Sequence, residues 1–221
     1  KSPCIYRGFS YMIKVIEFVR NCKGKKEISM CEVRWKSYPR PQMKRSGYHI
    51  LNGSWEVNGK EIQVPFAPQS RLSGYEGGVP EYLLYERTFV VPEDFVQPGI
   101  RLHFGAVDQV AKIFINDTYI GEHKGGYLPF SFRIEEVINK EGLNRLSVEV
   151  EDHLGTKYPY GKQCKKRGGM WYTPISGIWQ TVWLENVPEK EIKGVQITPS
   201  LEDVEVVLDC KSKGFEAIVT S

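Results

Sequence analysis

The segment Arg145 to Glu151, which reads RLSVEVE, alternates polar and apolar side chains without a break. Leu146, Val148 and Val150 fall on one face, so the pattern predicts a strand with one buried and one solvent-facing side. Aromatic and β-branched residues in period-2 patterns predict more strands along the chain. These strands lie at Leu84–Val90, Ile100–Phe104 and Ile178–Leu184, and further at His49–Val57, Pro129–Ile134, Lys193–Thr198 and Val204–Leu208.

A hairpin and the scarcity of helical patterns complete the prediction of fold class. Val110–Ile115 and Thr118–Glu122 flank Asn116-Asp117, two residue types that tolerate the left-handed conformation of a tight turn. Only Glu135–Lys140 has a helical pattern, and Gly142 would end that helix within two turns. Many short strands with almost no helix predict an all-β sandwich.

The composition excludes several classes of protein. The 221 residues carry 30 Lys and Arg against 27 Asp and Glu, and this charge of +3 is too small to indicate nucleic acid or an anionic membrane as the main partner. No apolar run approaches the roughly 18 residues of a membrane helix. Tyr11 to Val19 is interrupted by Lys14 and Glu17, and no small-residue cleavage site follows it, so we do not expect a signal peptide.

The cysteine and histidine patterns favour neither disulfides nor a metal. The cysteine count of five is odd, no C-x-x-C pair occurs, and the histidines are scattered away from the cysteines. We therefore expect reduced thiols in the cytoplasm and no metal site. The cysteines are Cys4, Cys22, Cys31, Cys164 and Cys210.

Three regions divide the chain. Residues 1–34 read as an N-terminal extension, and residues 35–187 are long enough to bury a core of their own. Pro188 to Glu191 is polar and reads as a linker. The segment from Ile192 onward resembles the first strands of a second β-domain, which gives a third region at 188–221.

The connection between Asp152 and Ile178 is long and rich in aromatic residues, and such connections are usually functional or disordered. Its aromatic rings are costly to leave in water, and sugars stack on rings while their hydroxyls bind fixed polar groups. An alternative, favoured by composition alone, is that Trp171 and Tyr172 plug the end of the sandwich. A phosphate-binding patch at Lys162, Lys165, Lys166 and Arg167 is a weaker alternative, because short runs of loop charges are usually solvated. The candidate sugar-binding residues are Asp152, Lys162, Gln163, Trp171 and Tyr172.

An ordered set of segments resembles one family. The segments are YPRPQMKRSGYHILNGSWEV, IQVPFAPQS, YERTFVVPE, GAVDQVAKIFINDTYIGEHKGGYLPFSF and MWYTPISGIWQTVWLE. In order and content they resemble the N-terminal sugar-binding domain of family 2 glycoside hydrolases, in the β-galactosidase and β-glucuronidase group. The resemblance covers about Tyr38 to Val187.

The resemblance implies a jelly-roll, galactose-binding-like sandwich followed by the start of an immunoglobulin-like domain. It also implies that the two catalytic carboxylates lie in a downstream barrel, and that loops of this domain, including the one before SGIWQ, help to bind the terminal sugar. Some relatives carry an acidic residue just before the Met-Trp pair, where this chain has Gly168 and Gly169. That difference weakens any transfer of galactose specificity. The loop Gln69 to Gly78 is a further, weaker candidate for sugar contact.

No residue of this chain is expected to be catalytic. Glycoside hydrolysis usually needs two carboxyl groups that flank one bond. Glu135 and Glu136 are adjacent and would point in different directions, whereas Glu149 and Glu151 share the solvent-facing side of their strand. A (β/α)₈ barrel needs about 250 residues by itself.

The resulting prediction is a non-catalytic sugar-binding domain of a glycosidase, without cofactor. Its expected partners are a carbohydrate substrate, the downstream immunoglobulin-like and barrel domains, and a second copy if the enzyme is a homo-oligomer. Two alternatives remain open at this point: a free-standing carbohydrate-binding module, and a domain with a purely structural or interface role.

Overall fold

The computed structural model describes residues 38–40, 43–155, 157–165 and 168–210, together with the backbone of Ile5–Tyr6. The segment Tyr11–Val19 and the extension prediction for residues 1–34 therefore lie largely outside the described residues. Within these ranges the chain forms fifteen strands. They are β1 (Ile5–Tyr6), β2 (Tyr48–Ile50), β3 (Gly53–Val57), β4 (Lys60–Val64), β5 (Tyr82–Val90), β6 (Gly99–Phe104), β7 (Val107–Asp108), β8 (Val110–Ile115), β9 (Thr118–Lys124), β10 (Phe130–Arg133), β11 (Leu143–Glu151), β12 (Gly177–Ile178), β13 (Val182–Val187), β14 (Ile192–Pro199) and β15 (Val204–Cys210).

Two antiparallel sheets enclose the core. The larger has the strand order β4-β3-β5-β11-β8-β9, and the smaller has the order β10-β6-β13-β2. Leu146, Val148 and Val150 of β11 are at most 2% exposed, and they share one apolar cluster with Leu102 and Leu184 of the smaller sheet. The predicted all-β fold and the alternation in β11 are confirmed. The jelly-roll arrangement stays an expectation.

The strand predictions need three corrections. The predicted strand His49–Val57 is two strands, β2 and β3, which belong to different sheets. The predicted strand Ile178–Leu184 is also two strands, β12 and β13, in different sheets. Lys60–Val64 was not predicted as a strand, yet it pairs with β3 across a turn in which Asn58 and Gly59 have φ of 50° and 75°.

The predicted helix at Glu135–Lys140 is wrong. Ile134 is buried, and Val137 packs against the core, which explains the helical spacing of apolar residues. The backbone forms only one turn there, with Val137 N–H bonded to the Ile134 carbonyl. The side-chain amide of Asn144 then bonds the N–H and the carbonyl of Asn139, so these groups are not available to continue a helix. No helix among the described residues is long and apolar enough to cross a membrane.

The hairpin at Asn116-Asp117 is confirmed. The two residues have φ of 50° and 64°, as a tight turn between β8 and β9 requires. The Asn116 side chain also bonds the Asn144 amide oxygen and the Arg145 N–H. These bonds attach the turn to the start of β11.

The smaller sheet covers a polar network on the face opposite the core. Glu185 of β13 is fully buried, and Trp183 beside it stacks on His103 with ring centroids 4.7 Å apart. Trp183 is therefore buried, but outside the main apolar cluster. The donors around the Glu185 carboxylate are Tyr38 Oη at 2.5 Å, Arg40 Nη2 at 2.5 Å, Arg45 Nε at 2.9 Å and Trp183 Nε1 at 2.9 Å, and His103 Nε2 lies 3.1 Å from it.

This network also reaches the third sheet, which has the order β1-β15-β14. Arg45 Nη2 donates to the carbonyl of Ile192, the first residue of β14, at 2.6 Å. Glu191 is 4% exposed and pairs with Arg101 of β6. Strands are present at both segments predicted after residue 192. The boundaries of the three regions and the immunoglobulin-like assignment stay predictions.

Candidate functional site

The long connection after β11 folds back on itself in a small loop. Gly161 and Lys162 have φ of 54° and 60°, and this turn lets the Gln163 N–H bond the Tyr160 carbonyl at 3.0 Å. The Tyr172 N–H then bonds the Lys162 carbonyl at 3.0 Å. The two halves of the connection are thus joined at Gln163 and Tyr172, and we call residues 160–172 the aromatic loop.

Gln163 ties the aromatic loop to the sandwich. Its side chain is 8% exposed, and its Oε1 accepts the Ile175 N–H at 2.6 Å. Its Nε2 lies 3.5 Å from the hydroxyl of Tyr127, in the connection between β9 and β10. These contacts use both ends of the amide, so Gln163 holds the loop in place.

The aromatic rings of this loop are open to solvent. Trp171 is 42% exposed and Tyr172 is 64% exposed, while Lys162 is also exposed. A plug at the end of the sandwich would bury both rings, so that alternative is wrong for them. Their exposed faces are available for contact with a sugar or with another part of the protein.

The alternative of a phosphate-binding patch is weakened because one of its lysines already forms an ion pair. Lys165 lies 2.8 Å from Glu81 and is thereby neutralised locally. Lys166 and Arg167 lie outside the described residues. The other candidate loop, 69–78, is held by Gln69, whose amide bonds the hydroxyl and the N–H of Ser176 at 2.8 Å and 3.1 Å.

Asp152 is buried where β11 ends. It is 6% exposed, and its Oδ1 accepts the Leu154 N–H at 2.8 Å. Its Oδ2 has no hydrogen-bond donor in the described part of the chain. A carboxylate oxygen buried without a donor is costly, and such a group requires a structural or functional explanation.

Asp108 is a second buried carboxyl group, and sequence reasoning missed it. It is 3% exposed, and burial together with the charge of Asp152 raises its pKa from 3.8 to about 7. Its Oδ1 also lacks a donor among the described residues. The signal was present, because Asp108 directly follows the apolar residues Ala106 and Val107. Nothing in the periodicity showed that Asp152 would be its neighbour.

The backbone beside Asp108 is shaped to fit this side chain. A Cβ at Gly126 would overlap the Asp108 carboxyl group, so glycine is required there. The Gly126 carbonyl accepts the indole N–H of Trp179 at 2.8 Å, and the Trp179 ring lies 6.3 Å from that of Tyr127. Since Tyr127 also contacts Gln163, a continuous series of contacts links the carboxyl pair to the aromatic loop.

The raised pKa of Asp108 determines what this side chain can offer a ligand. A carboxyl group that keeps its proton near pH 7 can donate one hydrogen bond and accept others. Both carboxyl groups are buried among the described residues. No group of three or more His, Cys, Asp or Glu that could hold a metal occurs in the described ranges.

Comparisons with known proteins place this chain in one family. The model of "Glycosyl hydrolases family 2, sugar binding domain" matches residues 60–188, more than half of the chain. A β-galactosidase of Thermoanaerobacter pseudethanolicus is 34% identical over 123 residues, which cover 54% of this chain and 16% of that protein. A β-galactosidase of Thermoanaerobacterium thermosulfurigenes is 34% identical over 114 residues, which cover 51% and 15%. The chain therefore matches only about a sixth of the length of these relatives.

Solved structures support the fold alone. The β-glucuronidase of Ruminococcus gnavus in complex with D-glucuronic acid has a TM-score of 0.60 at 17% identity, covering 81% of this chain and 37% of that chain. The Lactobacillus rhamnosus β-glucuronidase has a TM-score of 0.61 at 21% identity, covering 77% and 34%.

Proposed function

The chain belongs to the sugar-binding domain of the family 2 glycosyl hydrolases, and from this premise we propose that it is a non-catalytic domain of a β-glycosidase. The domain binds the terminal sugar of the substrate at the mouth of a catalytic barrel supplied by the same enzyme. The enzyme hydrolyses O-glycosyl bonds of β-galactosides or β-glucuronides. The names of the similar proteins support this substrate class.

The observation that carries the proposal is the buried carboxyl pair beside an open aromatic loop. Asp108 and Asp152 offer hydrogen-bonding groups that no described residue satisfies. Trp171 and Tyr172 offer exposed ring faces. Sugar sites commonly combine a few fixed polar groups with apolar faces. The two features are linked through Tyr127 and Trp179.

The test is kinetic and uses the full-length enzyme. Trp171→Ala is expected to raise KM for 4-nitrophenyl β-glycosides several-fold while kcat changes little, because the ring binds substrate without taking part in bond cleavage. Lys140→Ala, an exposed change away from the loop, serves as the control. Unchanged KM together with lower stability would instead support the purely structural role.

A second measurement addresses the absence of catalysis. The 221-residue chain alone is expected to show no turnover of aryl β-galactosides or β-glucuronides. Hydrolysis by this chain that disappears in Asp108→Asn or Asp152→Asn would overturn the proposal.

A further inference from the structure

Four charged side chains meet where the aromatic loop lies against the sandwich, and we call Glu81, Glu151, His153 and Lys165 the His153 cluster. The ring of His153 lies between two carboxylates: its Nδ1 is 2.7 Å from Glu81 Oε2, and its Nε2 is 2.5 Å from Glu151 Oε1. The other oxygen of Glu81 lies 2.8 Å from Lys165 Nζ. The cluster therefore connects the residue before β5, the end of β11 and the aromatic loop.

The geometry of the two ring nitrogens indicates the charge of His153. A neutral imidazole has one N–H and can donate to only one of two carboxylates, whereas the imidazolium ion donates to both. Both nitrogens of His153 lie at hydrogen-bond distance from a carboxylate oxygen, so only the charged form satisfies them together. The hydrogen bonds to Glu81 and Glu151 accordingly raise the pKa of His153 above its usual 6.5.

Loss of this proton would change the balance of charge in the cluster. With His153 charged, two positive and two negative side chains face one another. With His153 neutral, two carboxylates remain beside a ring that can donate to only one of them. The other charged and titratable groups around His153 are Tyr82 of β5, Lys112 of β8, the paired Glu122 and Lys124 of β9, and Asp152, Lys157 and Tyr158 after β11.

The His153 cluster holds the backbone at Asp152 and provides a second attachment for the aromatic loop, besides that of Gln163. Both chain neighbours of Asp152 belong to the cluster, and the Asp152 N–H bonds the Glu81 carbonyl at 2.8 Å. The Glu81 side chain is 46% exposed, and an exposed glutamate has several rotamers available to it. Because His153 holds one oxygen of this carboxylate, the other stays where Lys165 meets it.

We propose that His153 is a positioning residue for substrate binding: its imidazolium form braces the aromatic loop through Glu81 and Lys165, and loss of its proton releases the loop. This inference rests on the proposed function, in which the loop binds the terminal sugar. A group whose pKa is higher in the folded state contributes fully below its unfolded pKa, and the contribution is lost as pH rises through the folded pKa. The brace is therefore present at pH 6 and is lost at higher pH.

The first measurement follows the imidazole signals of His153 by NMR as pH is raised. The midpoint of this titration is expected above 6.5, and Glu151→Gln should lower it, because a neutral amide stabilises the imidazolium ion less than a carboxylate does. Glu149→Gln makes the same change at an exposed position of the same strand and should leave the midpoint as in the wild type. A wild-type midpoint at or below 6.5, or an equal shift in both variants, would overturn the proposal.

The second measurement is the rate of tryptic cleavage within the aromatic loop, which contains Lys162 and Lys165. At pH 6 His153→Gln should be cleaved about two to five times faster than the wild type, which is the range that exposed ion pairs support. At pH 9 the two rates should agree, because the wild type has then lost the brace as well. His153→Arg keeps its charge and should be cleaved slowly at both pH values. Equal rates for the wild type and His153→Gln at pH 6 would overturn the proposal.

Kinetics of the full-length enzyme separate this proposal from the proposed function. At pH 6 His153→Gln should raise KM about two- to fivefold with kcat unchanged, and at pH 9 its KM should equal that of the wild type. Asp108, with a pKa of about 7, titrates in the same range, but its effect is present in both proteins and cancels in the comparison.

Two outcomes distinguish the failures. Faster loop cleavage in His153→Gln with unchanged KM would contradict the proposed function, because the loop would then be braced without binding sugar. A raised KM in Trp171→Ala together with unaltered cleavage in His153→Gln would overturn the role of His153 and leave the proposed function in place.

Discussion

We expect the free energy of unfolding to fall between pH 5 and pH 8, and replacing Asp108 by Asn should remove a large part of this fall. Asp108 is 3% exposed, and burial and the neighbouring charge of Asp152 raise its pKa from 3.8 to about 7. In the unfolded chain the group is already ionised at pH 5. The folded state thus keeps a proton that the unfolded state has released.

The sign of the effect follows from this difference. When the folded-state pKa is above the unfolded value, the stability contribution is fully present below the unfolded pKa and is lost as pH rises through the folded pKa. Between pH 5 and pH 7 the contribution of Asp108 to the free energy of unfolding falls by about 1.36 kcal/mol for each of two pH units. The total loss is about 3 kcal/mol. Above pH 7 the contribution levels off, because Asp108 is then ionised in both states.

The assay is urea unfolding at pH 5 and pH 8. Asp108→Asn should reduce the difference in the free energy of unfolding between the two pH values by about 3 kcal/mol, mainly by raising stability at pH 8. Asp94→Asn makes the same chemical change at an exposed position and should leave the difference as in the wild type. A variant with an unaltered pH dependence, or one less stable than the wild type at pH 8, would refute the reasoning.

Three other substitutions test the contacts that position the site. Glu185→Gln should lower the free energy of unfolding by about 3–5 kcal/mol, because it removes the buried carboxylate that both Arg40 and Arg45 contact. Glu149→Gln on the solvent side is the control, and equal losses would contradict the role of the network. Gly126→Ala should lower the free energy of unfolding by about 1–3 kcal/mol, because the added Cβ would overlap Asp108. Gly155→Ala is the control and should be tolerated, because a Cβ at this position has no atom within 4 Å. Gln163→Ala should speed proteolytic cleavage within the aromatic loop, because it removes the hydrogen bond to the Ile175 N–H, and should change the midpoint of thermal unfolding little. Cleavage no faster than in the wild type would show that the loop is held by other contacts.

Much of the fold was determined locally. The alternation of β11 and the Asn116-Asp117 turn were readable because a strand repeats every two residues and because few residue types accept positive φ. The ordered set of segments that resembles family 2 glycoside hydrolases also predicted the class of protein. The predictions failed where tertiary packing decided: the apolar spacing before Lys140 resembled a helix, but the Asn144 side chain took the backbone bonds that a helix would need.

The candidate site also depends partly on local sequence and partly on tertiary packing. The sequence by itself determined which residues of the long connection are candidates for sugar contact, since aromatic and polar side chains occur together there. Only the tertiary structure decided how they are used: Gln163 is a tether, Trp171 and Tyr172 are open, and Asp152 lies beside Asp108. Asp108 and Asp152 are 44 positions apart in the printed sequence. Their proximity depends on which strands pair, and no local pattern of one strand contains that information.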